Sequence, residues 1–82
     1  MSKFQNWTGV ATKGFSVTPS DSVNFTTEAR ALYVGGTGNV SLVTIEGDVL
    51  VFNSVPAGSI LPVATRRVNS TNTTATNMLG IY

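Results

Sequence analysis

The 82-residue chain has no cysteine and no histidine, and its five basic and four acidic residues leave a net charge of +1. Those absences exclude a disulfide framework, thiolate or imidazole metal ligation and the Ser/His/Asp or Cys/His sets of nucleophilic catalysis, so neither an enzyme nor a cofactor is expected. With 41% hydrophobic and 11% charged residues, and no apolar run of 18, it reads as one folded domain that crosses no membrane, its polarity coming from 27 threonines, serines and asparagines.

Residues 1–14 contain Phe4 and Trp7 but no periodicity and no apolar leader of the secretory kind. A tryptophan carries about 150–250 Å² of largely apolar surface. These residues are therefore expected to form an extended N-terminal arm, docked on a neighbour or on its own domain. The arm is expected to serve assembly more than folding, with residues 15–82 forming the β domain.

Phe15-Ser16-Val17-Thr18 alternates and stops at the turn cluster Pro19-Ser20-Asp21-Ser22, after which Val23-Asn24-Phe25 alternates again. The one helical candidate is a single turn from Thr26 to Ala31, with Thr27 as its cap. Residues 29–34 are apolar apart from Arg30 and end at Gly35-Gly36-Thr37-Gly38. That cluster fails the spacing of G-x-G-x-x-G and precedes a strand, so it reads as a hairpin loop with glycines at positive φ. Residues 39–45 and 49–53 read as a hairpin around Glu46-Gly47-Asp48, whose carboxylates are too few for calcium and too solvated for acid–base work. After the turn Val55-Pro56-Ala57-Gly58 come strands 59–61 and 63–69. Pro62 between them marks an edge, a bulge or a strand start. A polar loop at 70–74 precedes a closing strand at 77–82.

Six or seven short strands imply an all-β fold, a compact antiparallel β-sandwich or small barrel. Alternation draws the core from Phe15, Val17, Leu32, Val34, Val40, Leu42, Leu50, Phe52, Ile60, Val63 and Val68. The runs 31–34 and 49–52 are apolar without interruption, and such strands need cover on both faces. In so small a chain the second cover is expected from another subunit.

Arg66 and Arg67 are the densest basic spot. Neighbouring strand residues point to opposite faces, so one looks outward and the other inward or across an interface. A sequence pI of about 8.2 falls short of a nucleic-acid surface. An arginine paired with Glu28, Glu46 or Asp48 of a neighbour fits better. Met78, Leu79, Ile81 and Tyr82 make the closing strand apolar, so it is expected to pair within the sandwich or across a subunit boundary. The interface candidates are Phe4, Trp7, Arg66, Arg67 and Tyr82; no catalytic, cofactor or metal residue is expected.

Four blocks carry a family resemblance: Val17-Thr18-Pro19-Ser20-Asp21-Ser22; Ala29-Arg30-Ala31-Leu32-Tyr33-Val34-Gly35-Gly36; Val55-Pro56-Ala57-Gly58-Ser59-Ile60-Leu61-Pro62-Val63; and Thr73-Thr74-Ala75-Thr76-Asn77. In order and spacing they resemble the small head spike base proteins of tailed bacteriophages and phage-like gene transfer agents. The similarity runs from about Phe15 to Tyr82, and more loosely over the arm. Adjacent Arg66 and Arg67 depart from the family pattern, where a valine commonly separates the basic residues. The resemblance implies a non-enzymatic virion structural protein, made in the host cytoplasm and placed on the capsid exterior. It implies a homo-oligomeric vertex base or capsid decoration protein, a pentamer ahead of a trimer, that binds the major capsid protein and carries a head fibre. The alternative is a glycan- or receptor-binding module of a tail fibre or baseplate, for which Trp7, Tyr33 and Tyr82 are the available aromatics, although Tyr33 reads as core.

Overall fold

Strand β2 (Ala31–Gly36) shows the period of two that a pleated strand imposes: Leu32 and Val34 are fully buried, while Ala31 and Tyr33 are half-buried on the opposite face. The computed structural model describes residues 11–82. It places β2 among seven strands: β1 (Gly14–Ser16), β3 (Gly38–Thr44), β4 (Val49–Val55), β5 (Ser59–Leu61), β6 (Thr65–Val68) and β7 (Thr76–Ile81). They form two antiparallel sheets, ordered β1-β7-β2-β5 and β4-β3-β6. Leu32, Val34, Leu61 and Met78 of the first sheet meet Val40, Leu42, Val55 and Val68 of the second in one core. The all-β sandwich expected from the sequence is present.

The Glu46-Gly47-Asp48 hairpin forms as read, with Gly47 at φ 97°. The glycine cluster before it does something else. Gly35 and Gly36 lie inside β2 and Gly38 opens β3, so Thr37 alone carries the chain from one sheet to the other. None of the three glycines has positive φ. What they provide is clearance: a Cβ on Gly35 would lie 2.6 Å from the Asn77 carbonyl oxygen, and one on Gly38 would strike the Ala75 backbone. The expected hairpin loop is thus a sheet-to-sheet corner crossed closely by the approach to β7.

Residues 20–29 form neither the strand at 23–25 nor the helical turn at 26–31 that the sequence suggested. Their backbone is taken up by the edge of β6. Ser20 donates to the Val68 carbonyl at 2.8 Å and Phe25 to the Arg66 carbonyl at 2.8 Å, while Ala29 and Thr65 exchange two bonds of 2.9 Å. Donors engaged sideways cannot reach the i−4 carbonyls of a helix. The segment acts as an irregular fourth strand that covers an edge.

The core keeps Leu32, Val34, Val40, Leu42 and Val68, with Val17, Phe52 and Val63 packed at its margin. Phe15, Leu50 and Ile60 are corrections: Phe15 is half-buried and outside this cluster, and Leu50 and Ile60 are 38% and 57% exposed. Ile60 is opposite Tyr33, on the outer face of β5, and Leu50 is opposite Leu42 but on an edge strand with no further neighbour. Ala29, Val43, Val55, Leu61, Ala75 and Met78 are buried instead.

Candidate interaction surfaces

Three features of the described residues can engage a partner. The first is an aromatic groove beside β1. Thr12 and Lys13 donate to the Tyr82 carbonyl at 2.8 Å, and the Tyr82 N–H returns a bond to Lys13, so the strand pair extends past β1 and fixes Tyr82. Phe15 then meets Phe25 edge-on at 5.0 Å and Tyr82 at 6.0 Å. Gly80 makes room for this, because a Cβ there would lie 2.5 Å from Phe15 Cζ. The opposite wall is the 19–27 segment. Ser20 Oγ accepts the Val23 N–H at 3.1 Å, and the Asp21 carboxylate accepts the Thr71 backbone N–H at 2.9 Å and its hydroxyl at 2.7 Å. Those two bonds hold the Asp21 carboxyl below its ordinary pKa of 3.8. The groove between the walls has a volume of about 640 Å³ and is lined by Phe15, Pro19, Val23, Phe25 and Tyr82, with Asn24 and Thr26 at its polar rim. Val23 is 67% exposed.

The second feature is the basic pair. Val43 pairs with Arg67 and Thr44 with Thr65, so Arg66 is the extra residue of a β-bulge and the strict alternation expected for the two arginines fails. Arg67 donates from Nε to Asn69 Oδ1 at 3.0 Å and from Nη1 to Asn24 Oδ1 at 3.1 Å, tying β6 to the groove wall. Asn69 donates onward to Ser41 Oγ at 3.3 Å. Arg66 reaches the β3–β4 turn, its Nη2 lying 3.7 Å from where a Cβ on Gly47 would be, and its buried Nε has no hydrogen-bond partner among the described residues.

The third is the edge strand β4. Val49, Leu50 and Val51 are all at least 38% exposed, and Ile45 beside them is 44% exposed. Val51 is opposite Ser41 and Leu50 opposite Leu42, so apolar side chains project from both faces of the strand. The sequence signalled this in its unbroken apolar run, and in the single chain that run stays open to solvent. Tyr33, Leu79 and Ile60 add a flatter apolar row on the outer face of the other sheet.

Phe4 and Trp7 lie outside the described residues. Of the remaining interface candidates, Tyr82 lines the groove and Arg67 braces it, while Arg66 sits apart near the turn. Phe25 and Val23 do not stand out in the sequence, because it takes both the pairing of β1 with β7 and the backbone bonds of the 20–29 segment to β6 to bring them opposite Phe15 and Tyr82. Among the described residues no three His, Cys, Asp or Glu side chains gather as a metal site, and no helix is long and apolar enough to cross a membrane.

No protein-family model and no curated protein matches the chain. Among solved structures, a chain in the capsid of the native GTA (gene transfer agent) particle, computed with C5 symmetry, is similar to it. The TM-score is 0.79 and the identity 39%, with 88% of this chain and 83% of that one covered.

Proposed function

As a member of the family of virion structural proteins found in the gene transfer agent capsid, this chain has its place in a phage-like particle, where we propose that it forms a homo-oligomeric base on the capsid exterior. In this reading it acts without catalysis. It binds the major capsid protein at a vertex and offers its outer side to a head fibre. The similarity of 39% identity over most of both chains carries the proposal. The surface chemistry supports assembly: a face solvated by hydroxyls and amides loses little when covered, since few charges need desolvating. Phe4, Trp7, Arg66, Arg67 and Tyr82 are the residues we assign to interfaces, with the arm shortened to the residues before Thr12 as the part that reaches a neighbour, because residues 12–14 pair with Ile81 and Tyr82 of their own chain.

Native mass spectrometry of the purified chain, followed by co-sedimentation with capsids lacking it, tests the proposal. A closed ring of five that saturates at vertex stoichiometry is the expected result. A ring of three that saturates across the capsid lattice would move the protein to a decoration role. A monomer that ignores capsids and binds a glycan array through the Tyr82 groove would replace the proposal with the tail-fibre reading.

A further inference from the structure

We propose that copies of this chain join edge to edge, with β4 of one copy adding in parallel alignment beside residues 12–17 of the next and closing over its aromatic groove. The inference rests on the homo-oligomeric reading above and names the surfaces that make the contact. Seven residues long, β4 has no proline and no charge within it, and it is the edge of its sheet. Natural sheets blunt such edges with proline, lysine or brevity, because a row of open N–H and C=O groups is a template for another strand. The neighbouring edge β5 is blunted in this way: it has three residues and ends at Pro62. Between Val49 and Asn53 nothing blunts β4, and its side chains are apolar on both faces, as in a strand meant to be covered twice.

The complementary edge lies across the molecule. Strands β4 and β5 share one side of the sandwich, since only Pro56, Ala57 and Gly58 join them. Strand β1 and the 20–29 segment share the other side, where Phe15 meets Phe25 at 5.0 Å. There residues 12–17 use one side of their backbone on β7, leaving the other open among the described residues. A strand added at that edge lies over the groove and places apolar side chains against Phe15, Val23 and Tyr82. An edge that meets a different edge on the opposite side makes a heterologous contact, the kind that repeats around a ring; β4 against β4 would stop at a two-fold dimer. Charge fixes the direction. Lys13 is the only charged residue among residues 11–17, and Glu46 and Asp48 immediately precede β4. Parallel alignment brings opposite charges together, whereas antiparallel alignment carries Lys13 to the uncharged Val55 end.

The full chain tests this directly. Val51→Lys changes an exposed side chain, so circular dichroism and the melting point of the variant should match the wild-type subunit. Its oligomer should dissociate at about tenfold higher concentration or more, the effect of at least ~1.4 kcal/mol per interface. Lys13→Glu should weaken the oligomer, and adding Asp48→Lys should restore it. The chain has no cysteine, so Lys13→Cys combined with Asp48→Cys should give a ladder of oxidised species that reaches the ring number and is cleared by reductant. An oligomeric wild type whose Val51→Lys variant stays assembled, and whose cysteine pair gives no ladder, overturns the edge proposal and leaves the ring standing. A ladder obtained from Trp7→Cys with Val23→Cys instead would give the groove to the arm and also overturn it. A wild type that is monomeric alone and on capsids overturns the ring itself.

Discussion

Gly80→Ala adds one methyl group to the floor of the aromatic groove, and the structure gives the size of the penalty. The new Cβ would lie 2.5 Å from Phe15 Cζ and 2.9 Å from both Cε atoms, whereas ordinary contact begins near 3.4 Å, so the ring must lift by about 0.9 Å (3.4 − 2.5). A gap of about 0.5–1 Å forfeits a quarter to a half of the dispersion attraction on the vacated side. The shift also disturbs the edge contact with Phe25, now at 5.0 Å. Overpacking of this kind costs about 1–3 kcal/mol. Replacing glycine within a strand recovers about 0.5–1 kcal/mol of chain entropy. The net loss should be about 1–2 kcal/mol, which lowers the melting temperature of so small a domain by about 4–16 °C. Thermal unfolding followed by circular dichroism reads it. Phe15→Leu in the Gly80→Ala background frees the contested space, so the two changes should couple favourably by about 1 kcal/mol, beyond the ~0.3–0.5 kcal/mol expected of independent sites. A Gly80→Ala protein that melts at or above the wild-type temperature, or a double variant that is strictly additive, would refute the view that Gly80 is there to seat the ring.

Leu32→Ala empties a fully buried site at the centre of the core and should cost about 2–5 kcal/mol by denaturant titration, a large part of the stability of a domain this small. Removing residues 79–82 strips β1 of its whole register on β7, so the truncated protein should be recovered unfolded or insoluble; a soluble, cooperatively melting product would contradict this. Deleting residues 1–10 leaves every described backbone bond in place and should preserve the β-sheet circular dichroism while weakening the oligomer or its capsid binding; unchanged particle occupancy would show the arm to be passive. Asp21 has a folded pKa below its ordinary value of 3.8, so its contribution is full above that value and fades as pH falls through the lowered one. Asp21→Asn should therefore flatten the acid limb of the melting-temperature profile below about pH 4; an unchanged limb would mean the Thr71 bonds do not persist in solution.

Most strands were legible because they are short, rich in apolar or β-branched residues and bounded by turn residues, and Gly47 held its hairpin for the conformational reason the sequence suggested. Gly35, Gly36 and Gly38 were misread because a glycine needed for close approach looks the same in sequence as one needed for positive φ. The distinction lay in residues 74–77, more than thirty positions away. Arg66 was misplaced for a related reason: a bulge shifts alternation by one residue, and nothing in Thr65-Arg66-Arg67-Val68 marks which residue is extra. Of the groove, Tyr82 was legible as an apolar residue of a closing strand. Phe25 was not, since its role depends on a segment that pairs with β6 without becoming a strand.

One consequence of the strand order concerns synthesis. In the first sheet β7 lies between β1 and β2, so among the described residues β1 has no strand partner until β7 has been made. Until β7 emerges, β1 lacks its register partner and the sheet stays open between β1 and β2. Closing this sheet is thereby slow for the chain's size, because non-local pairing must meet its loop-closure entropy first. A polypeptide that stalls before Thr76 lacks the strand that joins β1 to β2, and so lacks a closed first sheet.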